Sequence, residues 1–443
     1  MRSFWILLLV CQGCGRLGYD PIGVTEVDAG TDELTVDAAG SSELIIGELD
    51  TDFGTTGLVV YDYVDDDGLS KDDRATGVVI DAEGRVVVSV SGMYNYYVND
   101  DQFDMAAITM RLLPDGSYDP LYQFGALGGP GLTVDVGSRW SHGTAMALDE
   151  GLPVLCGYRE WGGNDKPTIY RYQVGGQPDP SFGTSGIAYV TTSGEVEAWD
   201  MVIDPNDGNY VITGSGRGDF MFAAKMNSSD GTPDLSFAGT GQVRYDIAGQ
   251  EYGAAVVVDS QGRITIAGRL DSGQATYDIA VWRYLANGTA DTSFSGDGLF
   301  TYDGGNDDQA EGIALDAEGN LVVVGRSGTE VDVDMIALRL DGSTGELDET
   351  FGVLGAVVYD SGVGASTDYA NELVIAGDKS IFITGSSSTS NSKQAMAIWK
   401  LTPDGSLDSG FGLEAIPGVF LTTDAAGGGE DIGWDLALGT GEI

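Results

Sequence analysis

Positive charge is scarce in this chain. It carries 21 Lys and Arg against 69 Asp and Glu, a net charge of −48 over 443 residues. A surface that follows a phosphate backbone needs clustered cations, so the balance argues against nucleic-acid binding. Histidine is reduced to His142. That excludes multi-histidine zinc sites and leaves any His-dependent triad a single candidate base. Of the three cysteines only Cys156 lies in the body of the chain, so no disulfide framework staples it. Within Val154-Leu155-Cys156-Gly157 it reads as a small buried filler. Long apolar runs are missing too: Phe4–Val10 is too short to span a bilayer, and no later stretch reaches the required length of about 18 residues. Good helix formers are few, with 19 Glu and 6 Lys against 50 Asp and 68 Gly. Asp and Gly favour turns and weaken helices. With 42% hydrophobic residues the chain can still bury a sizeable core. The composition reads as all-β and turn-rich.

The N-terminus reads as an address. Arg2 precedes the apolar run, and Gly13 then precedes Cys14. This looks like a bacterial lipoprotein signal, with Cys14 as the lipid attachment residue; Cys11 stands where such signals usually carry Leu. Gly15 follows, not Asp, which in the systems it resembles fits delivery to the outer membrane. The expected layout is a signal peptide at 1–13, an acidic flexible tether at 14–31, and a single domain at 32–443.

The rest of the chain is a repeat. Leu49-Asp50-Thr51-Asp52-Phe53-Gly54, followed by Gly57, returns around Phe182, Phe237, Phe294 and Phe351, with looser copies around Phe124 and Phe411. The period is roughly 60 residues, within the range of repeat architectures. Each unit holds a short strand, a loop, a second strand, a turn such as Asp316-Ala317-Glu318-Gly319, a continuously apolar third strand, and a fourth strand ending in a basic residue. That residue is Arg111, Arg171, Lys225, Arg283, Arg339 and Lys400 in turn. It is read as one structural ion pair per unit, formed with a repeat Asp; the competing reading is a cationic ring lining a channel. Four short strands repeated about seven times predict a β-propeller.

The set Leu-Asp-x-x-Phe-Gly-x-x-Gly, Asp-x-x-Gly before an apolar strand, and a basic-ended strand resembles the delta-60 repeat family. Its members are secreted or surface proteins of bacteria. The resemblance covers about residues 49–424 and carries no catalytic residues across. Closure is expected by both termini. Short β-like runs at 33–36 and 43–46 would complete a seventh blade with Trp434–Leu438. Six blades plus a half-blade is the alternative.

Candidate site residues are those that break the repeat. His142 sits in Trp140-Ser141-His142-Gly143. Tyr94, Tyr96, Tyr97 and Trp161 lie in aromatic insertions that follow third strands and so emerge on one side. Aromatics on such a face suit sugar stacking or protein contact, or simply pack their own loops. No catalytic or metal residue is assigned. Asp62, Asp135, Asp246, Asp303, Asp360 and Asp424 recur after first strands; they read as turn caps, with Ca²⁺ as the sharper alternative. The expected function is a monomeric, lipid-anchored binding or scaffold module for a protein or glycan in the bacterial cell envelope. It touches the membrane only through its lipid. The alternative is a secreted carbohydrate-active enzyme that uses loop carboxylates.

Overall fold

The computed structural model describes residues 5–12 and 53–439, apart from short loop stretches and 60–72, 95–103 and 423–429. Among the described residues all regular elements are strands, and no helix is long and apolar enough to cross a membrane. Six four-stranded antiparallel sheets follow one another as blades, and a two-stranded sheet completes the ring. The innermost strands are Asp73–Ile80, Ser141–Asp149, Glu197–Ile203, Tyr252–Val258, Asp307–Leu315 and Tyr369–Ile375 in blades 1 to 6, and Glu430–Leu438 in the half-blade.

This is the six-and-a-half arrangement, and the seven-blade expectation is corrected. The free edge of Glu430–Leu438 is taken by Trp5–Gln12, paired antiparallel from Trp5↔Leu438 to Gln12↔Glu430. Val419–Thr422, the strand after the last anchor Phe411, pairs with Gln394–Leu401 as the outer strand of blade 6. Residues 33–46 lie outside the described residues.

The sequence unit is offset from the blade by one strand. The strand after each anchor Phe, such as Leu299–Tyr302, is the outer strand of the blade already begun. The anchor therefore turns the chain within a blade. Asp291 Oδ1 accepts the Ser293 amide at 3.1 Å and its hydroxyl at 2.6 Å, while Oδ2 pairs with Arg283 Nε at 2.9 Å. Phe294 is buried beneath the guanidinium, 4.3 Å away. Gly298, at φ +94°, closes the turn with its amide on Phe294 O at 2.8 Å; a side chain there would be strained. In blade 1 the anchor is Tyr122, fully buried under Arg111, and Phe124 is exposed. The looser copy read around Phe124 is thus shifted by two residues.

The basic repeat positions are structural. Arg111, Arg171, Arg283, Arg339 and Lys400 pair with Asp119, Asp179, Asp291, Asp348 and Asp408 at 2.8–2.9 Å. Lys225 instead pairs with Asp204 and Asp207, at 2.6 and 2.7 Å. Each arginine in the series also donates to a carbonyl of the following blade, at Val174, Ser228, Gly342 or Pro403. The four arginines clamp neighbouring blades, the two lysines pair within their own blade, and none of the six lines the central cavity. The core lies between the blades, as in Val211, Met221, Phe237 and Val256 with Trp282. The apolar strands Val86–Val90 and Leu321–Val324 are buried on both faces. Cys156 is fully buried, and burial lifts its thiol to about 12, as expected of a filler.

Candidate functional site

The innermost strands all run the same way, so their first residues gather at one mouth of the central channel. Each of the six blades has a β-bulge there. The inserted residues are Thr76, Thr144, Trp199, Ala254, Glu311 and Asn371. A bulge re-aims the side chains around it. Here it turns them toward a cavity of about 560 Å³ at the mouth. Trp199, Tyr252 and Trp434 supply aromatic faces to the lining, and Arg74, Arg326 and Glu311 supply charge.

Deeper, the residue after the bulge is small in four sheets and acidic in three. The acids are Asp200, Glu372 and Asp435. Asp200 Oδ1 accepts the Met201 amide at 2.6 Å and Oδ2 accepts Val256 N of the next blade at 2.7 Å. Asp435 repeats this with Leu436 N and Val78 N, both at 2.7 Å. Glu372 Oε1 accepts Leu373 N at 2.8 Å. Burial pushes Asp200 and Asp435 up to about 7, and the charge of Asp435 adds to the rise of Asp200. Burial, then the charges of Asp435 and Asp200, holds Glu372 well above its ordinary value. The floor therefore retains protons near neutral pH, which places both proton donors and acceptors against the cavity.

Around the mouth an aromatic arc crosses three blades. His142 stacks on Tyr158 with ring centroids 4.5 Å apart. Tyr158 meets the edge of Trp199 at 5.8 Å, and Trp199 lies 5.6 Å from Tyr252. Arg269 continues the arc, 5.2 Å from the Tyr252 ring and 4.5 Å from Tyr277. Beyond the His142 end of the arc, on blade 1, Arg74 covers Trp434 at 4.7 Å. His142 Nδ1 lies 3.0 Å from Ser91 Oγ. Burial, reinforced by the Arg74 charge, lowers its pKa to about 4. It stays neutral at physiological pH and acts as an aromatic surface.

Of the sequence candidates, His142 stands at this mouth. Tyr94 and Trp161 end the second strands of blades 1 and 2, and antiparallel pairing brings those ends to the same face. Tyr96, Tyr97 and Trp140 lie outside the described residues. Sequence reasoning missed Trp199, Tyr252, Trp434 and the three acids. A signal existed. Gly77, Ala145, Asp200, Ala255, Gly312, Glu372 and Asp435 share one position, and the acids break its symmetry.

Residues 260–294 and 376–411 match the family of a domain of unknown function (DUF5122), beta-propeller, which is related to the delta-60 repeat. Each match runs from a turn through two strands to an anchor Phe. No curated protein matches in sequence. Among solved structures the chain is similar to polysaccharide lyase Uly1, at 11% identity over 74% of this chain and 77% of that one, with TM-score 0.44. It is similar to a PL25 ulvan lyase at 10% identity over 82% and 79%, TM-score 0.42. Sqt1 from Chaetomium thermophilum gives 11% over 82% and 87%, TM-score 0.41.

Proposed function

We propose that this chain is a lipid-anchored propeller of the bacterial cell envelope that binds a glycan in the mouth of its channel. The observation that carries the reading is the single cavity wall that combines Trp199, Tyr252 and Trp434 with Asp200, Glu372 and Asp435. A sugar ring offers an apolar C–H face and a rim of hydroxyls. Aromatic faces suit the first, and fixed carboxyls and guanidiniums suit the second. The anchoring reading rests on the Gly13-Cys14 junction after an apolar run, and acylation at Cys14 would hold the binding face at a membrane surface.

A second reading is favoured by the raised carboxyls. Glycoside hydrolysis needs one protonated acid and one ionised partner, and groups titrating near 7 supply both states. A glycan array, run beside a reducing-end assay on the same polysaccharides, tests the two together. Binding without turnover is the expected result, turnover transfers the assignment to the hydrolase, and neither overturns both.

A further inference from the structure

Three carboxylates converge where blade 4 hands the chain to blade 5, on the face of the channel mouth but outside the lining of its cavity. Asp278 stands on the third strand of blade 4, Tyr277–Tyr284. Asp303 follows its outer strand, and Asp308 opens blade 5. One oxygen from each lies within 4.8 Å of the others. None of the three enters an ion pair among the described residues. Asp308 is fully buried. Its Oδ2 accepts the Gly304 amide at 2.5 Å, while its Oδ1 has no well-aligned donor, the Ser327 hydroxyl being the polar group beside the carboxylate. A fully buried carboxylate with one oxygen so poorly served, within 4.8 Å of two further carboxylates, is costly unless a cation fills the gap.

Blade 2 shows what the protein does at the same place with its own cation. Asp278 lies five residues before Arg283, and Lys166 lies five residues before Arg171. Lys166 Nζ donates to Thr192 O and Gly194 O, both at 3.0 Å, in the loop after the outer strand. Asp278 reverses the charge at that position, and the acids from the loop and the next blade then gather around it.

We propose that Asp278, Asp303 and Asp308 bind a calcium ion that ties blade 4 to blade 5. Hard carboxylate oxygens suit Ca²⁺, which tolerates irregular coordination and accepts hydroxyl and water oxygens as well; the Ser327 hydroxyl stands beside Asp308. Asp334, Asp360 and Asp368 cluster in the same way one blade on. There the buried acid is already served, because Asp368 accepts from Ser387 Oγ, Ser388 N and Ser361 N. The proposal is therefore confined to the first cluster.

The test is calorimetric titration of the chelator-treated full chain with CaCl₂, repeated with MgCl₂. It is paired with melting curves of wild type, Asp278→Lys and Asp303→Asn. Wild type should bind calcium and melt higher with it. Asp278→Lys should bind one calcium fewer and, without calcium, melt at or above wild type, because the ammonium replaces the ion. Asp303→Asn should weaken binding by about tenfold or more if Asp278→Lys does not fold. Absence of calcium binding to wild type, binding of magnesium alone, or unchanged calcium stoichiometry and affinity in the variants would overturn the proposal.

Discussion

Asp435 Oδ2 accepts the backbone amide of Val78 at 2.7 Å, across 357 residues of sequence. On the other side of the same strand, Asn371 Nδ2 donates to Gly433 O at 2.7 Å. Glu430–Leu438 is thus latched by side chains to blade 1 and to blade 6. Equivalent latches join neighbouring blades elsewhere, from Thr76 to Gly143 O and from Thr144 to Ala198 O. The bulge residue of one blade reaches the carbonyl before the bulge of the next. The closing element uses the same device as the rest of the ring.

Closure should therefore depend on Glu430–Leu438 more than on Trp5–Gln12. Asn371→Ala orphans the Gly433 carbonyl and should cost about 1–3 kcal/mol in urea unfolding. A chain that begins at Cys14 should keep its melting temperature within about 2 °C, and deletion of residues 430–443 should lower it sharply and broaden the transition. Equal losses from both truncations would contradict the latch.

The repeat cation should be a large local contributor. Arg283 pairs with Asp291, covers Phe294 and donates to Gly342 O and Ser343 O of blade 5, all while buried. Arg283→Ala leaves Asp291 without its cation and should lose about 3–5 kcal/mol by chemical denaturation. The exposed Lys379–Glu318 pair is the control, and Lys379→Ala should leave the midpoint unchanged.

This position is legible in the sequence because it repeats. Six scarce cations at one spacing, each travelling with Asp, imply an ion pair by themselves, and the strand order within each unit is equally open to reading. Blade boundaries are not. A repeat has no intrinsic start, so the one-strand offset between unit and blade appears only in the pairing of Leu299–Tyr302. The identity of the blade 1 anchor is hidden for another reason: Tyr122 replaces Phe, and a second aromatic, Phe124, lies nearby. The channel acids Asp200, Glu372 and Asp435 are hidden because they break the symmetry inside strands, where an acid among alternating residues reads as facing solvent.

The channel carboxyls should make stability fall as pH rises. Asp200 and Asp435 are raised to about 7 in the fold, so the native state holds more protons than the unfolded chain between about pH 4 and 7. Their contribution is full below the unfolded pKa and is lost as pH rises through about 7. Glu372 is raised by burial and by both neighbours. Glu372→Gln should thus melt close to wild type at pH 5 and about 2 °C or more above it at pH 8. A variant that is no more stable than wild type at pH 8 would show that the three carboxyls do not interact.

The anchor assignment rests on Cys14. In cells of an acylating bacterium, wild type should incorporate radiolabelled palmitate and fractionate with the outer membrane. Cys14→Ser should do neither and should appear in soluble fractions, while Cys11→Ser should behave as wild type. Labelling that survives loss of Cys14 would move the attachment or remove it.

The most direct measurement is equilibrium binding of the strongest array glycan to wild type, Trp199→Ala and Tyr252→Ala, each checked for unchanged melting. If the channel mouth is the site, each truncation removes a stacking face and weakens binding by at least about tenfold, or ~1.4 kcal/mol. Affinities equal to wild type in both variants would place the ligand elsewhere and contradict the reading.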